Sequence, residues 1–420
     1  MNVRQFFRRT HLHRAILLWI VLAVAVCIKI GWRGTERSVY PVFAAASHHW
    51  WADQSLYVDY WATEGIDGYR YSPAFAIAFS PFAMLPDKVG AILWSLLSIG
   101  LLLWALHRLA CEVLPHDAPA ASGATPGSSL PSPPWEAVFL TLTLFGSMIG
   151  IWSGQTNAII PALIALGLVA IQQNRWWAAA TFLAIPVFIK IWPMAIVLLL
   201  MVFWPRQLIG RFLFVCLALT LLPFLTRPPS IVIWQYQEWY RSLTGPLQDR
   251  WHGYRDAWTV WEQVARWLGY SANWSSPVSR RLYSLVQLAT GLGVLGWCLW
   301  QRKRMHATGQ LLTAMFAIWA AWQLLFGPGT EQLTYGIIAP AAGWAVLTSF
   351  GEKAARWLTI LAWSTLAFLP SGDMELAVRQ VFPAAPMLLP LGVGLFLVWL
   401  VWHESGPAQT ASVAAEEPAA

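Results

Sequence analysis

The chain has 420 residues, of which 57% are hydrophobic and only 11% charged, with a formal net charge of +7. Its mean hydropathy is +0.52, and apolar runs long enough to cross a bilayer recur along it, which excludes a soluble globular domain. The runs are continuous rather than alternating, so a transmembrane barrel is excluded and helices remain.

The N-terminal stretch MNVRQFFRRTHLHR is basic, and no small-residue cleavage site follows the first apolar run before Trp32. It reads as a cytoplasmic anchor ahead of a retained helix. Spans are predicted at 14–31, 87–109, 135–152, 156–172, 176–189, 190–204, 208–226, 283–301, 309–327, 335–350, 354–370 and 385–402. Segment 73–86 is apolar but short, and Pro81 breaks it. If it lies along the outer surface, Arg108, Arg175, Arg206, Arg211, Arg302, Lys303, Arg304, Lys353 and Arg356 all join the N-terminal arginines on the inside. If it crosses, most of them fall outside. The positive-inside rule favours the first arrangement. The expectation is about twelve spans in the cytoplasmic membrane, with both termini cytoplasmic.

The predicted organisation is a single transmembrane domain over 1–402. It comprises a first outer loop at 32–86, a disordered cytoplasmic linker at 112–134 rich in Pro, Ser and Gly, and a Trp-rich outer loop at 227–282. A disordered cytoplasmic tail is predicted at 403–420. Many of the 29 Trp residues lie near span ends or in loops, as their half-buried rings prefer. In the loop at 227–282 they mix with Arg and Asp, a pattern of surface-lying amphipathic helices. No internal repeat is evident.

Chemistry points to the first outer loop. It gathers five carboxylates, Glu36, Asp53, Asp59, Glu64 and Asp67, among Trp and Tyr residues. A carboxylate held against a bilayer among aromatic rings suits work on a lipid-linked substrate. There is no Walker loop, no GxGxxG following a strand, no HExxH and no GxSxG. The cysteines Cys27, Cys111, Cys216 and Cys298 show no CxxC spacing and read as packing residues, with neither a disulfide framework nor a metal site expected. His48 and His49 are adjacent, so on a helix they face different ways and do not share a metal. Asp67 precedes Gly68-Tyr69-Arg70-Tyr71-Ser72-Pro73, a turn rich in binding groups, where it serves catalysis or pairs with Arg70. Lys190, followed by Trp192 and Pro193, either holds an anion or snorkels to the interface. Gln155 and Asn157 either bind sugar hydroxyls or bridge helices. Glu331 either contacts substrate or caps the following helix. Arg255 and Asp256 bind an acceptor or each other.

Four segments in order resemble a known family. They are Glu36-Arg37-Ser38-Val39-Tyr40 with Tyr57 downstream; Tyr71-Ser72-Pro73 with the Pro81–Pro86 run; Gly154-Gln155-Thr156-Asn157 with Lys190 and Pro193; and Leu325-Phe326-Gly327-Pro328 with Glu331 and Tyr335. The set resembles the polytopic glycosyltransferases of family 87 (the DUF2029 group) in the GT-C superfamily, across most of residues 14–400. That resemblance implies an all-α polytopic transmembrane helical bundle of GT-C type, with juxtamembrane helices in the first outer loop. It also implies transfer of a hexose, with mannose among the candidates, from a polyprenyl-phosphate donor to a lipid or glycan acceptor on the extracytoplasmic face. Family members carry an Asp-Phe-x-Val-Tyr-Tyr pattern whose Asp is taken as the base. Here Glu36 stands at the Asp, Arg37 at the Phe and Pro41 at the second Tyr. Where members carry paired His after the late Pro motif, this chain has Gln332 and Thr334-Tyr335. The implied catalytic residue is Glu36, with Asp67 as the alternative. Tyr40, Arg70, Tyr71, Gln155, Asn157, Lys190, Arg255 and Glu331 form the candidate binding set. No cofactor, metal dependence or nucleic-acid partner is expected; the partners are membrane lipids, donor and acceptor. A transporter or flippase of lipid-linked sugars, or a silent polyprenyl-lipid-binding family member, is the alternative.

Overall fold

The computed structural model describes residues 3–58, 60–115, 135–244, 256–270, 277–305 and 307–405. Most of the expected linker, the end of the tail, part of the second outer loop, Asp59 and Arg255 lie outside the described residues. The described residues form helices and no strand. In chain order these are α1 (Val3–Arg33), α2 (Tyr40–Trp51), α3 (Trp61–Glu64), α4 (Pro73–Ala83), α5 (Asp87–Glu112), α6 (Trp135–Trp152), α7 (Ile159–Gln172), α8 (Trp176–Ile189) and α9 (Met194–Phe203). They continue with α10 (Pro205–Leu221), α11 (Pro229–Thr244), α12 (Ala257–Trp267), α13 (Pro277–Arg304), α14 (Thr308–Phe326), α15 (Ala339–Thr348), α16 (Lys353–Phe368), α17 (Gly372–Val381) and α18 (Leu388–Ser405). The molecule is an all-α polytopic helical bundle.

Eight stretches are long and apolar enough to cross a membrane: Thr10–Arg33, Asp87–Glu112, Trp135–Trp152, Pro205–Leu225, Arg281–Arg304, Thr308–Phe326, Gln332–Gly351 and Ala385–Ser405. The other four expected spans are shorter helices, α7 and α8 of 14 residues, α9 of 10 and α16 of 16. Their lengths are set by breaks: the turn at Gln155–Asn157, the Lys190–Pro193 turn, and Trp204-Pro205, where proline starts a new helix. At 1.5 Å per residue α9 reaches only about 15 Å, half of a hydrocarbon core of about 30 Å. Helix α4, at 11 residues, is likewise too short to cross.

Burial separates centre from rim. The apolar window of α14 is 83% buried, whereas that of α13 is 11% buried. Leu282, Leu285, Leu288 and Leu292 therefore form an exposed apolar stripe on α13, at a spacing that puts them on one face. In a chain this apolar, that stripe is a lipid-facing surface.

The loop predicted to be the first outer one folds as α2, α3 and α4 around Phe43, whose ring lies 5.0–6.0 Å from Tyr71, Phe75, Phe79 and Trp94. Ser72 caps α4 by accepting from the Phe75 amide. Gly90 lets α5 approach this plate, because a Cβ there would sit 2.1 Å from the Tyr40 hydroxyl oxygen. The second outer loop contributes α11 and α12. Gln235 on α11 accepts from the Leu56 amide at 3.2 Å and donates to the Gln54 carbonyl at 2.6 Å, fastening that loop to the first.

Candidate active site

One end of the bundle collects the chemistry. There the C-terminus of α1 meets α6 through Lys29, which donates to the Trp152 carbonyl at 2.6 Å. Lys88 at the start of α5 donates to the Gly31 carbonyl at 3.0 Å. The turn after α6 passes through Gly154 at φ +68°, a left-handed conformation that suits glycine. Its carbonyl accepts from the Trp94 indole at 2.9 Å. The Val39 amide and the Ser38 hydroxyl both donate to the Ser153 carbonyl. Ser38 is thereby held beside the Gly154-Gln155-Thr156-Asn157 turn, with Glu36 two residues ahead of it in the chain.

Asn157 is the hub of this end. It is 3% exposed, and its amide donates to Gln155 Oε1 at 2.6 Å and to the Leu333 carbonyl at 2.9 Å. Its oxygen accepts from Lys190 Nζ at 3.3 Å. An ammonium can only donate, so this contact fixes which way the amide faces. Three turns, at 153–158, 190–193 and 327–335, thus converge on one side chain. Lys190 also lies over the Tyr71 ring, 5.5 Å from its centroid. No carboxylate pairs with Lys190 among the described residues. Below it, Trp192 stacks on Trp319, ring centroids 5.9 Å apart. Trp319 lies seven residues before the end of α14 at Phe326, about 10 Å along the axis. The Lys190 turn is therefore recessed beneath the rim of the longer helices. Thr156 is buried beside Asn157, and its hydroxyl has no hydrogen-bond partner among the described residues.

A second arm closes the site from the first loop. Arg70 Nη1 lies 3.1 Å from Glu331 Oε1, and its Nη2 is 3.8 Å from Asp67 Oδ1. Glu331 also caps the following helical turn in a reciprocal box with Thr334. Its two alternative roles are thus both compatible with one position. Tyr57 and Tyr69 donate to the Tyr71 and Ser72 carbonyls at 2.8 Å each and rigidify the arm. Burial holds both phenols protonated, well above their ordinary range. Tyr40 is 1% exposed and donates to the Phe82 carbonyl at 3.0 Å. Burial and then Asp87 push its phenol up to about 12. Its hydroxyl joins α2 to the end of α4 instead of opening onto Lys190.

The acids sort by partner. Asp53 pairs with Arg227 at 2.7 Å, and Glu64 with His49 at 3.1 Å. Asp67 is exposed and shares Arg70 with Glu331. Glu36 is exposed and has no ion-pair partner among the described residues. Asp256 is buried and caps α12; it accepts from Tyr283, whose hydroxyl also reaches the Gly327 carbonyl. Desolvation raises Asp256 to about 6 against these hydrogen bonds. Trp319 beneath the turn, which the sequence did not single out, depends on helix lengths and depth, which no motif encodes.

An all-helical bundle with membrane-length apolar helices and polar turns gathered at one end is the architecture of an integral membrane protein. Residues 69–328 match the sequence profile of glycosyltransferase family 87, and the chain belongs to that family. The match takes in Arg70, Tyr71, Gln155, Asn157 and Lys190, and leaves Glu36, Asp67 and Glu331 outside it. No curated protein matches the chain. The protein is a membrane glycosyltransferase.

Proposed function

We propose that this glycosyltransferase moves a hexose from a polyprenyl-phosphate donor to a lipid or glycan acceptor on the extracytoplasmic face of the cytoplasmic membrane. One observation carries the reading: Lys190 is a half-buried cation at a helix break, bound to Asn157 and Tyr71, with no carboxylate partner among the described residues. A cation withdrawn from water without a counter-charge is costly. An anionic headgroup relieves that cost, and a lipid phosphate entering from the bilayer side meets Lys190 as it departs. The acceptor oxygen attacks the anomeric carbon, the bond from that carbon to the phosphate oxygen breaks, and polyprenyl phosphate leaves. The acceptor proton passes to a carboxylate, which we assign to Glu36, with Asp67 as the alternative. Asn157, whose amide hydrogens go to Gln155 and Leu333 and whose oxygen accepts from Lys190, positions that lysine. Arg108, Arg175, Arg206, Arg302, Lys303, Arg304 and Lys353 sit at the end of the bundle away from the site, which supports the outward orientation.

The test of the anion role is polyprenyl-monophosphate binding to protein in nanodiscs. A charge-assisted hydrogen bond contributes about 1.5–3 kcal/mol, so Lys190→Met weakens binding roughly 10- to 150-fold, and Lys190→Arg retains most of it. Equal binding by wild type and Lys190→Met contradicts the proposal.

A further inference from the structure

A second cluster lies at the opposite end of the bundle, where α5 finishes and α6 begins. His107 and Cys111 are one helical turn apart on α5 and share a face. Glu136 stands in the first turn of α6. His107 Nδ1 lies 2.5 Å from Glu136 Oε1 and 3.9 Å from Cys111 Sγ. The three donor atoms all fall within 4.8 Å of one another. One imidazole nitrogen thus faces both a thiol and a carboxylate, drawn from two helices.

We propose that His107, Cys111 and Glu136 form a binding site for a zinc-type divalent cation, separate from the transfer site. Nitrogen, sulfur and carboxylate oxygen are the donor set of zinc, and the thiol and imidazole select against magnesium and calcium. Bond lengths of about 2.0–2.3 Å around a tetrahedral ion put ligand atoms roughly 3.3–3.6 Å apart. The Cys111–His107 gap needs to shrink by only about 0.3–0.6 Å. The His107–Glu136 pair opens by about 1 Å. Cys111 would bind as the thiolate and Glu136 as the carboxylate, so the two ligand charges balance the ion's. The remaining position goes to water. Entry is open: Cys111 is exposed and the His107 side chain is 45% exposed, while Glu136 is anchored at 11%. Arg108, one residue after His107, pairs with Glu112, which Gln173 also holds. The bound ion would staple α5 to α6 across the stretch that joins them. The sequence offers no cue to this site, since its third ligand follows the first two only after a long connection.

The test uses the full chain in nanodiscs after chelator treatment, titrated with cobalt(II). Wild type should take up one equivalent with a thiolate-to-cobalt charge-transfer band and the visible bands of a four-coordinate ion, and zinc should bleach both. Cys111→Ser should lose the charge-transfer band, while Cys27→Ser should keep it. His107→Ala should weaken uptake by more than the roughly 10–100-fold that loss of an outer partner costs. If Cys111→Ser fails to fold, zinc protection of Cys111 from maleimide in the wild-type protein, mapped by mass spectrometry, reads the same contact. Absence of the charge-transfer band in wild type, its persistence in folded Cys111→Ser, or an unchanged alkylation rate with zinc overturns the proposal.

Discussion

At the residue scale, the site is decided by which polar groups already have partners. Asp53 and Glu64 are consumed by Arg227 and His49. The buried phenols of Tyr57 and Tyr69 are held protonated and cannot accept an acceptor's proton near neutral pH. Among the described acids of that loop Glu36 and Asp67 remain exposed, and Asp67 shares an arginine with Glu331. This is why Glu36 is the assigned base even though Arg37 and Pro41 depart from the family's aromatic pattern. Glu36→Gln is expected to lower kcat by about 10²–10⁴-fold, the usual contribution of a general base, with donor binding retained. Asp67→Asn is expected to keep kcat in the wild-type order of magnitude. Single-turnover rates of the two variants read this directly, and the reverse pattern transfers the role to Asp67.

At the scale of elements, breaks matter more than spans. The composition of the apolar runs made the membrane helices legible, and the positions of Asn157, Lys190 and Glu331 at helix ends followed from the same runs. Depth was not legible. The predicted spans 176–189 and 190–204 are already short for a crossing, but that the turn between them lies recessed beside Trp319 depends on where the chain turns within the packed bundle. Nor do motifs announce long-range fastenings, such as Asp256 to Tyr283 and Gly327. That fastening ties α12 and the second outer loop to the loop that carries Glu331. Its acid has an ordinary value of 3.8 and is raised to about 6 in the fold. Below the ordinary value, folded and unfolded chains both hold the proton and the site imposes no penalty. Between about 4 and 6 only the folded chain holds it, so this group's contribution to stability falls as pH rises; above about 6 the full penalty of a buried charge stands. Asparagine does not titrate; its oxygen can still accept from the Thr259 amide, while its NH2 donates to the Tyr283 oxygen and leaves that hydroxyl to donate to the Gly327 carbonyl. Thermal midpoints of wild type and Asp256→Asn should therefore diverge in favour of the variant as pH rises through that window. Parallel midpoints contradict the buried-charge account.

At the scale of the molecule, the two ends of the bundle differ in kind. One carries the polar turns, the acids and a recessed lysine; the other carries most of the arginines and lysines at helix ends, along with the His107–Cys111–Glu136 cluster. The positive-inside rule turns this asymmetry into an orientation. Single cysteines placed at Asp67 and at Lys353 in an otherwise cysteine-free chain should be labelled by a membrane-impermeant maleimide in intact cells only at position 67. Labelling of position 353 alone inverts the orientation and removes the extracytoplasmic donor. The measurement that bears most directly on function is turnover: purified protein in nanodiscs, a panel of polyprenyl-phosphate sugars, a native lipid extract as acceptor, and donor loss followed by mass spectrometry. The expected result is consumption of one hexose donor with release of polyprenyl phosphate, lost in Glu36→Gln and depressed in Lys190→Met. Binding of the donors without consumption of any would contradict transfer at this site and favour a lipid-binding or transporting protein built on the same fold.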